Sequence, residues 1–181
     1  KNNVAAANPQ VVEKLKGEYD AWWKTISVGS GQPVRIVVGN PAENPVRLTA
    51  HDWHGEGANA AWNQKSIRKA PLANGYWTLR VERTGRYRFE LCRWPKEVGL
   101  PINAAFEDKE PNRVQTPGKA IHAVKARVKI GTEDRSIAVN SGDKGAVFDL
   151  KLAAGPADLH TFFIDADGAE RGAYFVYVTK L

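Results

Sequence analysis

Four consecutive residues, His51-Asp52-Trp53-His54, place two imidazoles, a carboxylate and an indole in one short stretch. Imidazole and carboxylate ligate metals and move protons, so this stretch is where a metal centre or an acid–base pair would be sought. In an extended segment, however, His51 and His54 point to opposite faces, which is poor geometry for chelation. No further ligand pair at suitable spacing accompanies them, and no metal site is expected. A glycan contact, an interface, or hydrogen bonds that pack a loop remain open for these residues. Trp53 and Trp62 share the same stretch with Asn59, Asn63 and Gln64. A pyranose has one C–H face and a rim of hydroxyls, so sugar sites combine an aromatic ring with amide and carboxylate groups. The alternative is that both indoles plug one end of the fold.

Arginine is the other chemically informative type. Arg80, Arg86 and Arg88, and then Lys125, Arg127 and Lys129, occur at alternate positions. On strands they share outward faces, and if the strands lie together they make one basic surface. The guanidinium fork matches sulfate or carboxylate. Solvated outer faces give the same pattern. Asp165-Ala166-Asp167-Gly168-Ala169-Glu170 has the opening of a calcium loop but lacks the third acidic position and the distant glutamate. An Asp-Gly hairpin turn accounts for it better. There is no Gly-rich phosphate loop and no Ser/His/Asp set at readable spacing. No catalytic residues are expected.

The elements that must hold these residues change character near Pro33. Asn8 is a suitable N-cap and Pro9 suits the first helical position. Val12, Leu15, Tyr19, Trp22, Trp23 and Ile26 then recur at helical spacing, predicting an amphipathic helix over 9–26. The adjacent tryptophans, with Tyr19, call for a partner surface. The run from Ser27 to Pro33 is a linker by composition. Thereafter the period is two. Strands are expected at 34–38, 46–50, 77–81, 87–91, 122–130, 137–139, 146–152, 159–164 and 174–178, separated by Gly, Asp and Asn turns. In the fifth of these, His122, Val124, Ala126, Val128 and Ile130 are expected on the inner face. The fold class is mainly β: an antiparallel, jelly-roll-like sandwich over 34–181, preceded by the helix and linker over 1–33. Residues 51–75 and 95–118 read as long loops of functional or interface character.

The 181 residues, with 43% hydrophobic and 25% charged side chains, suffice for a core without disulfide or metal. A single cysteine, Cys92, excludes an internal disulfide. No apolar run approaches the roughly 18 to 20 residues of a membrane helix. The net charge of +6 favours polyanions, but no nucleic-acid recognition motif accompanies it, and no nucleic-acid partner is expected. The chain starts without a secretory signal and has no methionine. A removed leader, or a cut from a longer chain, is expected.

Asn2-Asn3-Val4-Ala5, Asn8-Pro9-Gln10-Val11-Val12 and Tyr19-Asp20-Ala21-Trp22-Trp23 resemble the C-terminal end of bacterial arylsulfatases. Pro41-Ala42-Glu43-Asn44-Pro45, Thr49 to His54, Gly75-Tyr76-Trp77 and Tyr87 to Leu91 resemble the added C-terminal region of some members. The resemblance implies a sulfatase catalytic domain in cis, carrying formylglycine and calcium, and docking through Tyr19, Trp22 and Trp23. It also implies a sulfated or other polysaccharide as partner, and a periplasmic or secreted location. The nucleophile motif is absent: Cys92 is followed by Arg93-Trp94-Pro95 rather than x-Pro-Ser-Arg. The expected role is thus a non-catalytic module that docks, braces or binds glycan without a cofactor of its own. The pattern from Gly75 to Leu181 is also similar to galactose-binding-like jelly rolls, so an independent carbohydrate-binding module is the alternative.

Overall fold

The computed structural model describes residues 1–107 and 117–181. The expected loop at 95–118 therefore falls partly outside the described residues. Two compact units are formed, 1–34 and 35–181.

In the first unit, α1 spans Pro9–Ile26, as the spacing predicts. Asn8 holds the N-cap position, but its side chain makes no cap bond. Instead its amide donates to the Val4 carbonyl (3.0 Å), at the end of a 3₁₀ turn over Ala5–Ala7. The polar face carries Lys16–Asp20 at 2.6 Å, an i,i+4 pair. On the apolar face the rings pack on one another: Tyr19 lies 5.7 Å from Trp22 and stacks at 6.2 Å on Trp23.

The second unit is a β-sandwich. Its strands are β1 Ile36–Val38, β2 Val46–Thr49, β3 Tyr76–Val81, β4 Gly85–Cys92, β5 Ala123–Ile130, β6 Glu133–Ala138, β7 Ala146–Leu152, β8 Gly155–Asp165, β9 Glu170–Arg171 and β10 Phe175–Lys180. One sheet runs β1-β3-β8-β5-β6, with β9 on β8; the other runs β2-β10-β4-β7. Alternation sorts the side chains. Trp77, Leu79, Tyr87, Phe89, Leu91, Phe148, Leu150, Leu159, Phe163, Val176 and Val178 face inward and are buried. Each contributes about 1.5 to 3 kcal/mol by leaving water. The Trp77 indole N–H donates to the Thr49 carbonyl at 2.7 Å, tying the two sheets together.

The sandwich is antiparallel in the main, as expected, with β1 pairing with β3 in parallel. After β1 the chain crosses to the other sheet as β2 and returns through a long loop, which is what a parallel neighbour requires. One expectation needs correction: Val124 is half-exposed and Ala123 is buried, reversing their expected faces. The register with β8 shifts between Ala123 and Lys125, so a bulge at Val124 flips the alternation upstream of it. His122 is exposed for the same reason.

The turn after β8 is the expected hairpin. The Gly168 N–H donates to the Asp165 carbonyl at 3.0 Å, and Gly168 adopts φ +87. Both Asp165 carboxylate oxygens accept from the Arg171 guanidinium at 2.7 Å, in a largely buried pair. That grip holds the Asp165 carboxyl below the usual carboxylate range, against the opposing pull of its burial. As acid is added, the unfolded chain takes up this proton before the folded one does. The stabilisation is complete above about pH 4 and is lost as pH falls further, through the lowered folded value. Asp165→Asn should therefore flatten the acid limb of a stability–pH curve, read by urea unfolding between about pH 5 and pH 2.5. An unchanged limb would assign acid sensitivity to other carboxylates.

Candidate functional site

Trp53 decides the shape of the loop over 50–75. After β2, Ala50–Asp52 form a 3₁₀ turn, and the Trp53 ring turns into the core. It is 5% exposed, 5.7 Å from the Trp77 ring at a steep angle, and 5.9 Å from Tyr174. Glycines make room for it: a Cβ on Gly172 would lie 2.5 Å from Trp53 Cζ2, and one on Gly75 would lie 2.6 Å from Trp53 Cβ. The anchored indole sends its two histidine neighbours apart. His51 Nδ1 meets the Trp62 carbonyl at 3.1 Å. His54 bridges to Tyr76 through paired backbone bonds of 2.8 and 3.1 Å, and its Nε2 lies 3.4 Å from Thr78 Oγ1.

Beyond a 3₁₀ turn at Ala58–Ala61, the chain presents Trp62 and then a short helix, α2, at Gln64–Arg68. Asn63 caps α2 by accepting from the Ser66 N–H at 2.9 Å. Ala61 and Ile67 are buried and fasten this segment, leaving Trp62 54% exposed. The His51 ring lies 6.3 Å from the indole. Between this segment and the outer face of β2 and β10 lies a cleft of about 430 Å³. Phe175, Pro95 and Trp62 give it apolar surface; Arg47, Thr49, His51, Asn63 and Gln64 supply donors and acceptors. Arg47 also lies 3.6 Å from Glu97. Asp52 accepts from the Thr49 hydroxyl at 3.2 Å, which fixes the lip of the turn.

Of the residues singled out in the sequence, the structure gathers His51, Trp62, Asn63 and Gln64 in this cleft. Trp53 does not belong with them and is core; of the two indoles, one plugs the sandwich and the other is exposed at the cleft. His54 faces a different surface, next to Tyr76. Asn59 is exposed but does not line the cleft. The arginines do not make one basic surface. Arg80 sits on β3 in one sheet, while Arg86 and Arg88 sit on β4 in the other. Arg88 grips Asp149 with two bonds of 2.8 and 2.9 Å, and Arg86 approaches the same carboxylate at 3.7 Å. Arg127 is likewise engaged by Asp134 at 2.7 and 2.6 Å. Both carboxyls are held below the usual range by these guanidinium bonds. Arg47, Thr49, Pro95 and Phe175 were missed. Their only sequence signal is period two: Arg47, Thr49 and Phe175 occupy outward positions of β2 and β10, adjacent by register.

The fold and this cleft define the class, a two-sheet β-sandwich with an aromatic-and-amide surface site. A scan against protein-family models finds no match, and a search of curated proteins finds none. Among solved structures, the chain is similar to the GH26-CBM35 β-(1,4)-mannanase of Podospora anserina, with TM-score 0.42 and 10% identity over 76% of this chain and 28% of that one. It is also similar to a ruminal GH26 endo-β-1,4-mannanase, with TM-score 0.41 and 11% identity over 79% of this chain and 27% of that one. A family 35 carbohydrate-binding module from Clostridium thermocellum gives TM-score 0.39 and 11% identity over 74% of this chain and 98% of that one. The chain thus spans little more than a quarter of either mannanase. The sulfatase resemblance of the opening segment has no counterpart among these matches.

Proposed function

We propose that this chain is a carbohydrate-binding module that holds a sugar ring in the cleft beside Trp62. The observation that carries this reading is the half-exposed indole of Trp62, a residue whose backbone carbonyl meets His51, flanked by amides and an arginine over a Phe175–Pro95 floor. An apolar face next to convergent donors and acceptors suits a pyranose, which presents C–H bonds on one side and hydroxyls at its edge. The chain binds without turnover. Its one thiol, Cys92, is buried and pushed up to about 12 by that burial, so it supplies no thiolate at neutral pH. The two histidines of the loop diverge rather than converge.

A non-catalytic C-terminal module of a sulfatase is the second reading, favoured by the opening segment and its Tyr19, Trp22 and Trp23 ring cluster. It would place a catalytic domain in cis and the chain in the periplasm or outside the cell. Affinity electrophoresis in gels containing neutral, uronic-acid, sulfated and desulfated polysaccharides separates the two. The carbohydrate-module reading expects retention on at least one unsulfated polymer that survives high salt, because ring contact is not screened. Retention on sulfated polymers alone, fading with salt, favours the sulfatase module. Passage through every gel without delay overturns glycan binding.

A further inference from the structure

The outer face of the other sheet carries a second cleft, of about 400 Å³, lined by Arg35, Lys129, Gly131, Pro156, Ala157, Asp158 and His160. Register explains why these residues meet. His160 on β8 lies opposite Tyr76 on β3 and Lys129 on β5, so the three form one row across three strands. The Tyr76 and His160 rings stack at 5.1 Å, and His54 lies 5.8 Å beyond Tyr76. Arg35 reaches the same face just before β1. Its Nη1 donates to Asp158 Oδ1 at 3.0 Å and approaches the Leu79 carbonyl at 3.3 Å.

Charge on this cleft does not cancel. Arg35 and Lys129 are two fixed cations against the single carboxylate of Asp158. Among the described residues Lys129 has no carboxylate within ion-pair distance, because Asp134, opposite it on β6, is gripped by Arg127. His160 adds a titratable group between them. Pro156 and Ala157 give one apolar side. Two cations, the His160 ring and an apolar side within one concavity fit an anion borne on a ring rather than a free ion.

We propose that this cleft is a second carbohydrate contact, taking the carboxylate of a uronic-acid residue between Arg35, Lys129 and His160. The inference rests on the carbohydrate reading for its sugar part, yet uses none of the residues around Trp62. Burial and the nearby Lys129 hold the His160 imidazole below its ordinary value, while Asp158 pulls it upward. Tyr76, His54 and Arg35 are the other titratable or charged groups around it. A bound carboxylate favours the imidazolium, so affinity should rise as pH falls.

The test is an amide NMR titration of the 181-residue chain with glucuronate, with methyl glucoside and acetate as separate probes. Glucuronate should give saturable shifts at Lys129, Asp158 and His160, with roughly millimolar affinity. Methyl glucoside and acetate should each bind at least ~5-fold more weakly there. Lys129→Gln should weaken glucuronate ~10-fold, and Arg80→Gln, which removes equal charge from the same face outside the cleft, less than ~2-fold. Affinity should strengthen from about pH 7.5 to pH 5.5, and His160→Gln should abolish that rise. Equal weakening by Arg80→Gln, acetate binding as tightly as glucuronate, or no shift at these amides would each overturn the proposal. Shifts near Trp62 with neutral sugars score the first cleft separately, so either site can fail without the other.

Discussion

An Arg93→Ala variant should lose about 4 kcal/mol of folding stability, close to the whole margin of many domains of this size. Arg93 is fully buried, yet among the described residues it has no carboxylate partner. Its guanidinium donates instead to backbone carbonyls, to Ala104 at 3.0 Å and to Lys119, with Ile102 at 3.4 Å, and it stacks 4.4 Å from the Trp94 ring. Burial lowers its pKa to about 10, so the charge persists at neutral pH. The side chain thus satisfies carbonyls on both chain segments that flank residues 108–116. Truncation removes these donors from the interior, leaving the Ala104 carbonyl only the Trp94 indole N–H at 3.2 Å, and costs about 1 to 3 kcal/mol for each carbonyl left unpaired, besides adding a cavity. Arg93→Met separates the two effects, because it fills much of the volume and restores no hydrogen bond. It should still cost about 2 to 3 kcal/mol by urea unfolding at pH 7. A methionine variant as stable as the parent would show that the carbonyls find other partners, and the bracing role would be wrong.

Trp62→Ala should weaken glycan binding by about 30-fold or more, since a central ring contact of this kind contributes roughly 2 kcal/mol. The same variant should fold normally, because removing a half-exposed side chain that fills no core volume shifts stability by about 0.5 kcal/mol or less. Calorimetry against the best-retained polysaccharide measures the first effect, and a thermal melt checks the second. Phe175 offers a contrast. It is 5% exposed at the floor of the cleft, so Phe175→Ala should lower both affinity and melting temperature. Retained affinity in Trp62→Ala would move the sugar away from this cleft.

Much of the fold was legible in the sequence, because period is a backbone property. The change from helical to alternating spacing near Pro33 separates α1 from the strands, and Tyr87-Phe89-Leu91 against Arg86-Arg88-Glu90 reads directly as an inner and an outer face. What alternation hides is any local change of phase. The bulge at Val124 moves one residue out of register, and no residue type there announces it. Helix α2 left a weak signal in Asn63, a good N-cap before Gln-Lys-Ser, but five residues are too few to show a period.

The site was legible only as a list of suitable residues. His51, Trp62, Asn63 and Gln64 stand on that list, but so does Trp53, which sequence does not distinguish from its exposed counterpart. Burial made that choice, through Trp77, Tyr174 and two glycines contributed from elsewhere in the chain. Arg47 and Phe175, on strands far apart in sequence, join the cleft only through the pairing of β2 with β10. The condition for a single basic surface, that the strands lie together, is not met for a related reason: alternation assigns a residue to an outer face, but not to one of two sheets.

Cys92 carries a practical consequence. The chain's only thiol is 1% exposed on β4 and holds its proton to about pH 12, so maleimides and nitroxide reagents should leave it untouched near neutrality. The natural sequence therefore already serves as an unreactive background for labelling. A cysteine introduced at the lip of the Trp62 cleft, at Gln64 for example, would take up a single fluorophore and report occupancy of that cleft alone.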